Sequence, residues 1–384
     1  MQKDRVTHFT LILFFLALIF VDAASLFTMQ LLQNQTPSIF DVVTQPPSQQ
    51  NLRRFENDLE DSSWLVQQLR PFVQSVRFSM LNDLGKKAVR GLDGWLFYDL
   101  DVRYLTERID KSDAAEEEVV HSILSFRRRL SERGIQLLLV PAPGKPTIYP
   151  EELTRRATGM KAPINPWTRK IISRLESEGI QCIDLFTLFT SQKNDPQASL
   201  NPSYLIQDTH WSPHGMILAA SSVASRLIDL GWTSRGTTDY IQKSISMSRL
   251  GDVLKMSKVP GIESVFKPEI VKAAQILHAA DRKPYADDPA SDILVLGDSF
   301  LRIYERDEPG SAGFVSHLAC CLKKPLASII NDGGASTLVR QELYRKPDLL
   351  KGKKVVIWEF VERDLKFGTE GWQDIPLPED QAKL

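Results

Sequence analysis

Five short apolar runs, each set beside a stretch of helical spacing, constrain this chain more than any other feature. They are Ile135–Pro143, Ile180–Phe186, Asp292–Phe300, Pro325–Asn331 and Lys353–Phe360. Between and around them the spacing predicts helices over Asp113–Arg133, Asn165–Glu178, Ser212–Leu230, Ala312–Leu322 and Ala335–Tyr344, with Gly134, Gly179 and Gly231 as stops. Unbroken apolar strands need burial on both faces, which a parallel sheet between two helical layers provides. The expected fold class is therefore α/β, with a parallel sheet of about five strands. Right-handed crossovers place the carboxyl ends of all such strands on one edge, where sites form in open α/β sheets. The polar and glycine-rich segments "PAPGKPT", "GDSF", "NDGGAS" and "VERDL" all fall there.

Outside this pattern the chain divides readily. Residues 1–32 carry Lys3 and Arg5 ahead of an apolar run from Leu11 to Val21, a length of about 11 residues that fits a signal-peptide core better than a full span. Ala23–Leu32 is mostly apolar and extends it toward an uncleaved anchor. Residues 33–51, rich in Gln, Pro, Ser and Thr, read as a linker. Leu52–Leu84 reads as helical, with a break at Pro71. Residues 52–384 form the folded domain, in which 237–290 interrupts the alternation as an insertion with strand character around "YIQKSISMSRLGDVL". The net charge of −1 lacks the basic field that nucleic acid requires, so nucleic acid is excluded as the main partner. Cys182, Cys320 and Cys321 show no CxxC spacing, which argues against structural zinc; Cys182 reads as a small buried hydrophobe, with a disulfide to one of the others left open. No metal and no cofactor is expected.

Two motifs carry chemistry. "DTHW" sets Asp208 two residues before His210, a base whose tautomer a neighbouring carboxylate can fix. "LVLGDSF" places Ser299 in a Gly-Asp-Ser turn at the end of an apolar strand, where its hydroxyl reaches the sheet edge and backbone N–H groups can serve an oxyanion. Plainer readings exist for each: Asp298 or Ser299 as helix caps, Asp208 as the cap of the helix entered at Ser212. The two motifs together point to a Ser299–His210–Asp208 relay. The other histidines, His8, His121, His214, His278 and His317, sit in patterns that read as structural or exposed.

"GDSF" followed by "IINDGGAST" resembles the first two blocks of the SGNH (GDSL-like) hydrolases. The order does not: Asp208 and His210 precede Ser299 by about 90 residues, where the usual SGNH chain has them after it. That order, with "GLDGWLFY", "PAPGKPTIYPE", "DTHWSPHG", "RLGDVL" and "WEFVERDL", resembles the circularly permuted SGNH-like domain of the alginate O-acetyltransferases and related polysaccharide acetylation proteins. The resemblance implies a three-layer α/β/α fold with permuted motif order and an N-terminal hydrophobic helix. It implies an oxyanion hole from the N–H groups of Ser299 and Gly333, with Gly334 as fallback. No Asn stands after the last strand; Arg363 is there, as an oxyanion donor or as half of a structural ion pair. Trp211 is a candidate platform for a sugar ring or only a shield beside His210, and Lys145 an anchor for an anionic polymer, as is Arg155–Lys161 unless it is only a solvated surface.

The resemblance further implies a periplasmic O-acetyltransferase, signal-bearing or anchored in the inner membrane, acting on an exported polysaccharide such as alginate. Its partners would be the polysaccharide acceptor, a membrane-bound O-acyltransferase that delivers the acetyl donor, and other exopolysaccharide export proteins. An acetylesterase or deacetylase with the same three residues differs only in whether water or a sugar hydroxyl resolves the acyl-enzyme. A non-catalytic assembly protein of an export complex is the third alternative.

Overall fold

The structure is a computed structural model that describes residues 2–32, 48, 51–52, 63–107, 113–160, 165–196 and 200–378. The chain divides into two compact units, one of residues 1–84 with 258–260, the other of 85–257 with 261–384. In the first, α1 (Gln2–Leu32) and α2 (Trp64–Leu81) are helical. Phe9, Phe14, Phe15 and Phe20 of α1 are exposed. Among the described residues no helix is long and apolar enough to cross a membrane, so the anchor expected at the N-terminus gains no support. Pro71 does not break α2, contrary to expectation. A proline inside a helix removes one N–H donor, and the bonds on either side keep the remaining turns together. The linker expected over 33–51 lies largely, and residues 53–62 at the start of the expected Leu52–Leu84 helix lie wholly, outside the described residues.

The second unit is built on a five-stranded parallel sheet in the order β4-β3-β9-β7-β8, with β3 Gln136–Ala142, β4 Gln181–Cys182, β7 Ile293–Gly297, β8 Ala327–Ile330 and β9 Val355–Val361. A short antiparallel pair, β1 (Ala88–Arg90) and β2 (Leu96–Tyr98), precedes it. A long hairpin of β5 (Tyr240–Arg249) and β6 (Glu269–His278) occupies the inserted segment.

Alternation along each buried strand feeds two cores. Leu138, Val140, Ile293, Val295, Val355 and Ile357 join one cluster; Leu137, Leu139, Leu294, Leu296, Val356 and Trp358 join the other. Helices cover both. After α3 (Asp99–Thr106), α4 (Asp113–Ser131) presents Val119, Val120, Ile123, Phe126 and Leu130 at helical spacing to the second cluster, with α5 (Pro166–Ser177) and α9 (Leu338–Tyr344) beside it. The first is covered by α6 (Leu185–Asn194), α7 (Pro213–Asp229) and α8 (Phe314–Leu322). This is the expected three-layer arrangement. The run Ile180–Phe186 yields only a two-residue strand, because the Asp184 side chain accepts from Thr187 N at 2.9 Å and starts α6 there. All three cysteines are free thiols. Cys182 is half-buried at the sheet edge, and burial pushes its thiol up to about 12.

Candidate active site

The turn that carries Ser299 follows directly from strand geometry. β7 ends at Gly297; a Cβ there would lie 2.5 Å from Glu359 Oε2 and 2.5 Å from Leu301 Cδ1, so only glycine fits. Asp298 then accepts from Phe300 N at 2.8 Å and starts a single helical turn, Ser299–Arg302. This leaves Ser299 half-buried at the carboxyl edge of the sheet. Among the described residues the backbone N–H groups of Ser299 and Gly333 make no hydrogen bond, whereas that of Gly334 is spent on Asn331 O at 3.0 Å.

The loop of Asp208 and His210 meets this turn. His210 Nε2 lies 2.8 Å from Ser299 Oγ, and His210 Nδ1 lies 2.6 Å from Asp208 Oδ1. Because a carboxylate only accepts, Nδ1 carries the proton and Nε2 is free to accept from the Ser299 hydroxyl. Burial pushes the Asp208 carboxyl up, but His210 and Arg249 outweigh it and hold it well below the usual carboxylate range. Burial pushes the His210 imidazole down, and the negative charges of Asp208 and Asp252 overcome this and raise it above its ordinary value. Asp208, His210 and Asp252 offer atoms within 4.8 Å of one another, the spacing of a metal site. Each of those side chains is already committed: Asp208 to His210 and Arg249, Asp252 to Thr209. That is the pattern of a hydrogen-bonded relay.

One expected role changes, and two residues fit the plainer of their two alternatives. Lys145 is 1% exposed, and its ammonium donates to the carbonyls of Leu205 (2.9 Å), Ile206 (2.9 Å) and Asp208 (2.7 Å). It also lies over the rings of Trp95 and Phe97, and burial pushes it down to about 8. It ties down the His210 loop and has no face for a polymer. Trp211 is fully buried, with Nε1 donating to Phe300 O at 3.0 Å and its ring stacked on Phe314, which fits the shielding alternative. Arg363 donates from Nη1 to Asp101 Oδ1 at 2.9 Å and packs over Tyr98, the ion-pair alternative, with no hydrogen bond to the Ser299 turn. Arg155 and Arg156 are exposed, as a solvated surface would have them, and Lys161 lies outside the described residues.

Sequence reasoning missed a set of supporting groups. Arg249, Asp252 and Glu269 bond the His210 loop from more than forty residues away, with |i−j| of 41, 43 and 63. "RLGDVL" carried the signal for the first two but had no assigned role. Glu362 was also missed as a tie between loops: it accepts from Gly144 N (3.0 Å), Thr147 Oγ1 (2.7 Å) and Thr168 Oγ1 (2.9 Å), and burial pushes it up to about 7.

A parallel α/β/α sandwich with a strand-terminal Gly-Asp-Ser turn facing a histidine–aspartate loop defines an SGNH hydrolase-like protein. Residues 88–362 match the family model described as "SGNH hydrolase-like domain, acetyltransferase AlgX", and the chain belongs to that family of acetyltransferases. It is 24% identical over 292 residues, 72% of this chain and 69% of the relative, to the probable alginate O-acetylase AlgJ of Azotobacter vinelandii. Its fold is similar to the O-acetyltransferase domain of Pseudomonas putida AlgJ, with a TM-score of 0.57 and 20% identity over 77% of this chain and 95% of that one. It is also similar to Pseudomonas aeruginosa AlgX, with a TM-score of 0.52 and 20% identity over 71% of this chain and 61% of that one.

Proposed function

We propose that this protein transfers acetyl groups to a hydroxyl of an exported polysaccharide through an acetyl-Ser299 intermediate. The observation that carries this is the unbroken chain Asp208–His210–Ser299, with contacts of 2.6 and 2.8 Å, in a member of an acetyltransferase family. Ser299 Oγ attacks the carbonyl carbon of the acetyl donor while its proton passes to His210 Nε2. Asp208 stabilises the resulting imidazolium. The N–H groups of Ser299 and Gly333 receive the oxyanion. Collapse of the tetrahedral intermediate expels the donor's leaving group, which takes the proton from His210 and leaves acetyl-serine. A sugar hydroxyl then gives its proton to His210 as its oxygen attacks, and collapse returns the proton to Ser299.

The Azotobacter vinelandii relative is named a probable alginate O-acetylase, which makes alginate or a similar exopolysaccharide the proposed acceptor. The apolar run Leu11–Val21 behind Lys3 and Arg5 supports a periplasmic location. There a membrane-bound O-acyltransferase would deliver the acetyl donor, and other export proteins would present the polymer. The test is incubation with an activated acetyl ester, with and without oligosaccharide, read by mass spectrometry. Acetylated sugar is expected. Acetate release at one rate in both reactions, with no acetylated sugar, would make the protein an esterase, and undiminished turnover in Ser299→Ala would remove the nucleophile.

A further inference from the structure

The second oxygen of Asp208 is held by groups that come from outside the sheet. β5 ends at Arg249, whose Nε donates to Asp208 Oδ2 at 3.1 Å. Three residues on, the backbone N–H of Asp252 donates to the same oxygen at 3.1 Å. Between them, Gly251 runs so close to the loop that a Cβ would lie 2.0 Å from Gln207 O. The Asp252 carboxylate turns to the loop itself: Oδ1 accepts from Thr209 N at 2.7 Å, and Oδ2 accepts from the Thr209 hydroxyl and stands 3.5 Å from His210 Nδ1. β6 begins with Glu269, whose two oxygens accept from Ile206 N (2.9 Å) and Gln207 N (2.7 Å). The inserted hairpin thus grips the acid–base loop from the end of one strand and the start of the other.

We propose that Arg249 and Asp252 are positioning residues of the Ser299 relay, acting through Asp208 and His210 and never on the substrate. This rests on the assignment of Ser299 as nucleophile. Arg249 fixes the carboxylate plane of Asp208, so that Oδ1 stays on His210. Its guanidinium is itself fixed, over the Tyr304 ring at 5.6 Å and 3.8 Å from Asp307. Asp252 fixes the loop at Thr209 and adds a second negative charge beside the imidazole.

The two charges act in opposite senses on the base. His210 is faced by Asp208 from its own loop, by Asp252 from the turn after the hairpin strand, by Asp298 after β7 and by Arg363 after β9; Arg249 stands behind Asp208. Removing the Arg249 charge stabilises the imidazolium, so the acidic limb of activity moves to higher pH. Removing the Asp252 charge destabilises it, and the limb moves to lower pH. A purely structural role predicts loss of activity with no movement of either limb.

The experiment uses the full chain with Arg249→Gln, Arg249→Lys and Asp252→Asn. It reads the rate of fluorophosphonate modification of Ser299 against pH, and the NMR titration of ¹⁵N-labelled His210. Arg249→Gln is expected to raise the limb by about half a unit to one unit and to lower the plateau about tenfold or more. Arg249→Lys is expected to restore the limb but not the plateau, since an ammonium lacks the fixed Nε geometry. Asp252→Asn keeps an oxygen for Thr209 and is expected to lower the limb by about half a unit to one unit. Limbs that stay in place, or that move the same way in both charge-removing variants, overturn the proposal. If Arg249→Gln fails to fold, a wild-type plateau in Arg249→Lys overturns it. Modification that persists in Ser299→Ala defeats the nucleophile assignment, while the His210 titration still tests the positioning. Modification abolished in Ser299→Ala with unmoved limbs defeats the positioning alone.

Discussion

The Ser299 turn and the Asp208–His210 loop meet at 2.8 Å but are held in different ways. Ser299 owes its place mainly to its own neighbours, the end of β7 and the Asp298 side chain two residues from Phe300, with Glu359 of β9 close against Gly297 and accepting from Asp298 N at 3.2 Å as a distant support. Asp208 and His210 sit on a loop outside any named strand, tied by Lys145 from after β3 and by Arg249, Asp252 and Glu269 from the inserted hairpin. One half of the site is set mainly by local geometry, the other mainly by distant side chains. A local signal can be read from a few residues, whereas a distributed one cannot.

The largest effect probes the proposed reaction. Ser299→Ala is expected to lower acetyl transfer about 10³-fold or more with an unchanged melting temperature. Transfer reduced only a few-fold would mean that the two halves do not work together. Next come two glycine variants that break one half each. Gly297→Ala and Gly251→Ala each force a Cβ against buried atoms and should cost about 2–3 kcal/mol in denaturant unfolding. The raised titration of His210 should survive in Gly297→Ala and fall toward the ordinary ~6.5 in Gly251→Ala. The reverse pattern would refute the contrast between local and distributed support.

Lys145→Met leaves three carbonyls of the loop without their donor. About 1–3 kcal/mol of stability and ten- to a hundredfold of activity should be lost, with the fold of the Ser299 turn unchanged by near-UV circular dichroism. The pH profile offers a smaller test. His210 is raised and must be neutral to act as base, so kcat/KM should fall as pH drops through a midpoint above ~6.5. A midpoint near 6 or below would contradict the electrostatics of the relay. Trp211→Phe is the mildest change. It removes the bond to Phe300 O, costs about 1–2 kcal/mol, and should leave the KM for oligosaccharide unchanged; a raised KM would restore Trp211 as a sugar contact.

The same contrast explains what could be read from sequence. The five strands and the layers were legible because continuous apolar runs and capped helices are local patterns. So was Ser299, at the end of such a strand, and the Asp208–His210 pair, two residues apart. Lys145 differs from expectation and Trp211 stays open in sequence because a cation and an indole look alike there whether they face solvent or pack inside; only the carbonyls of Leu205, Ile206 and Asp208, and that of Phe300, distinguish the cases. Pro71 was overweighted, since a missing donor weakens a helix without ending it. Arg249 and Asp252 show locally only as the landmark "RLGDVL", and Glu269 not at all, because what they support lies on another part of the chain.

Lys145 gives the molecule an alkaline boundary. A charged ammonium has three N–H bonds, and all three are spent on the loop; the neutral amine has two. With its titration pushed down to about 8 by burial, mild alkali leaves one carbonyl untethered. Yet the same proton loss removes a buried charge. A lysine lowered on folding costs stability while protonated, and that cost is relieved as pH rises from about 8 toward the unfolded value of ~10.4. Between those limits the fold gains stability while the loop loses one of its three tethers, so melting temperature and turnover should part company there.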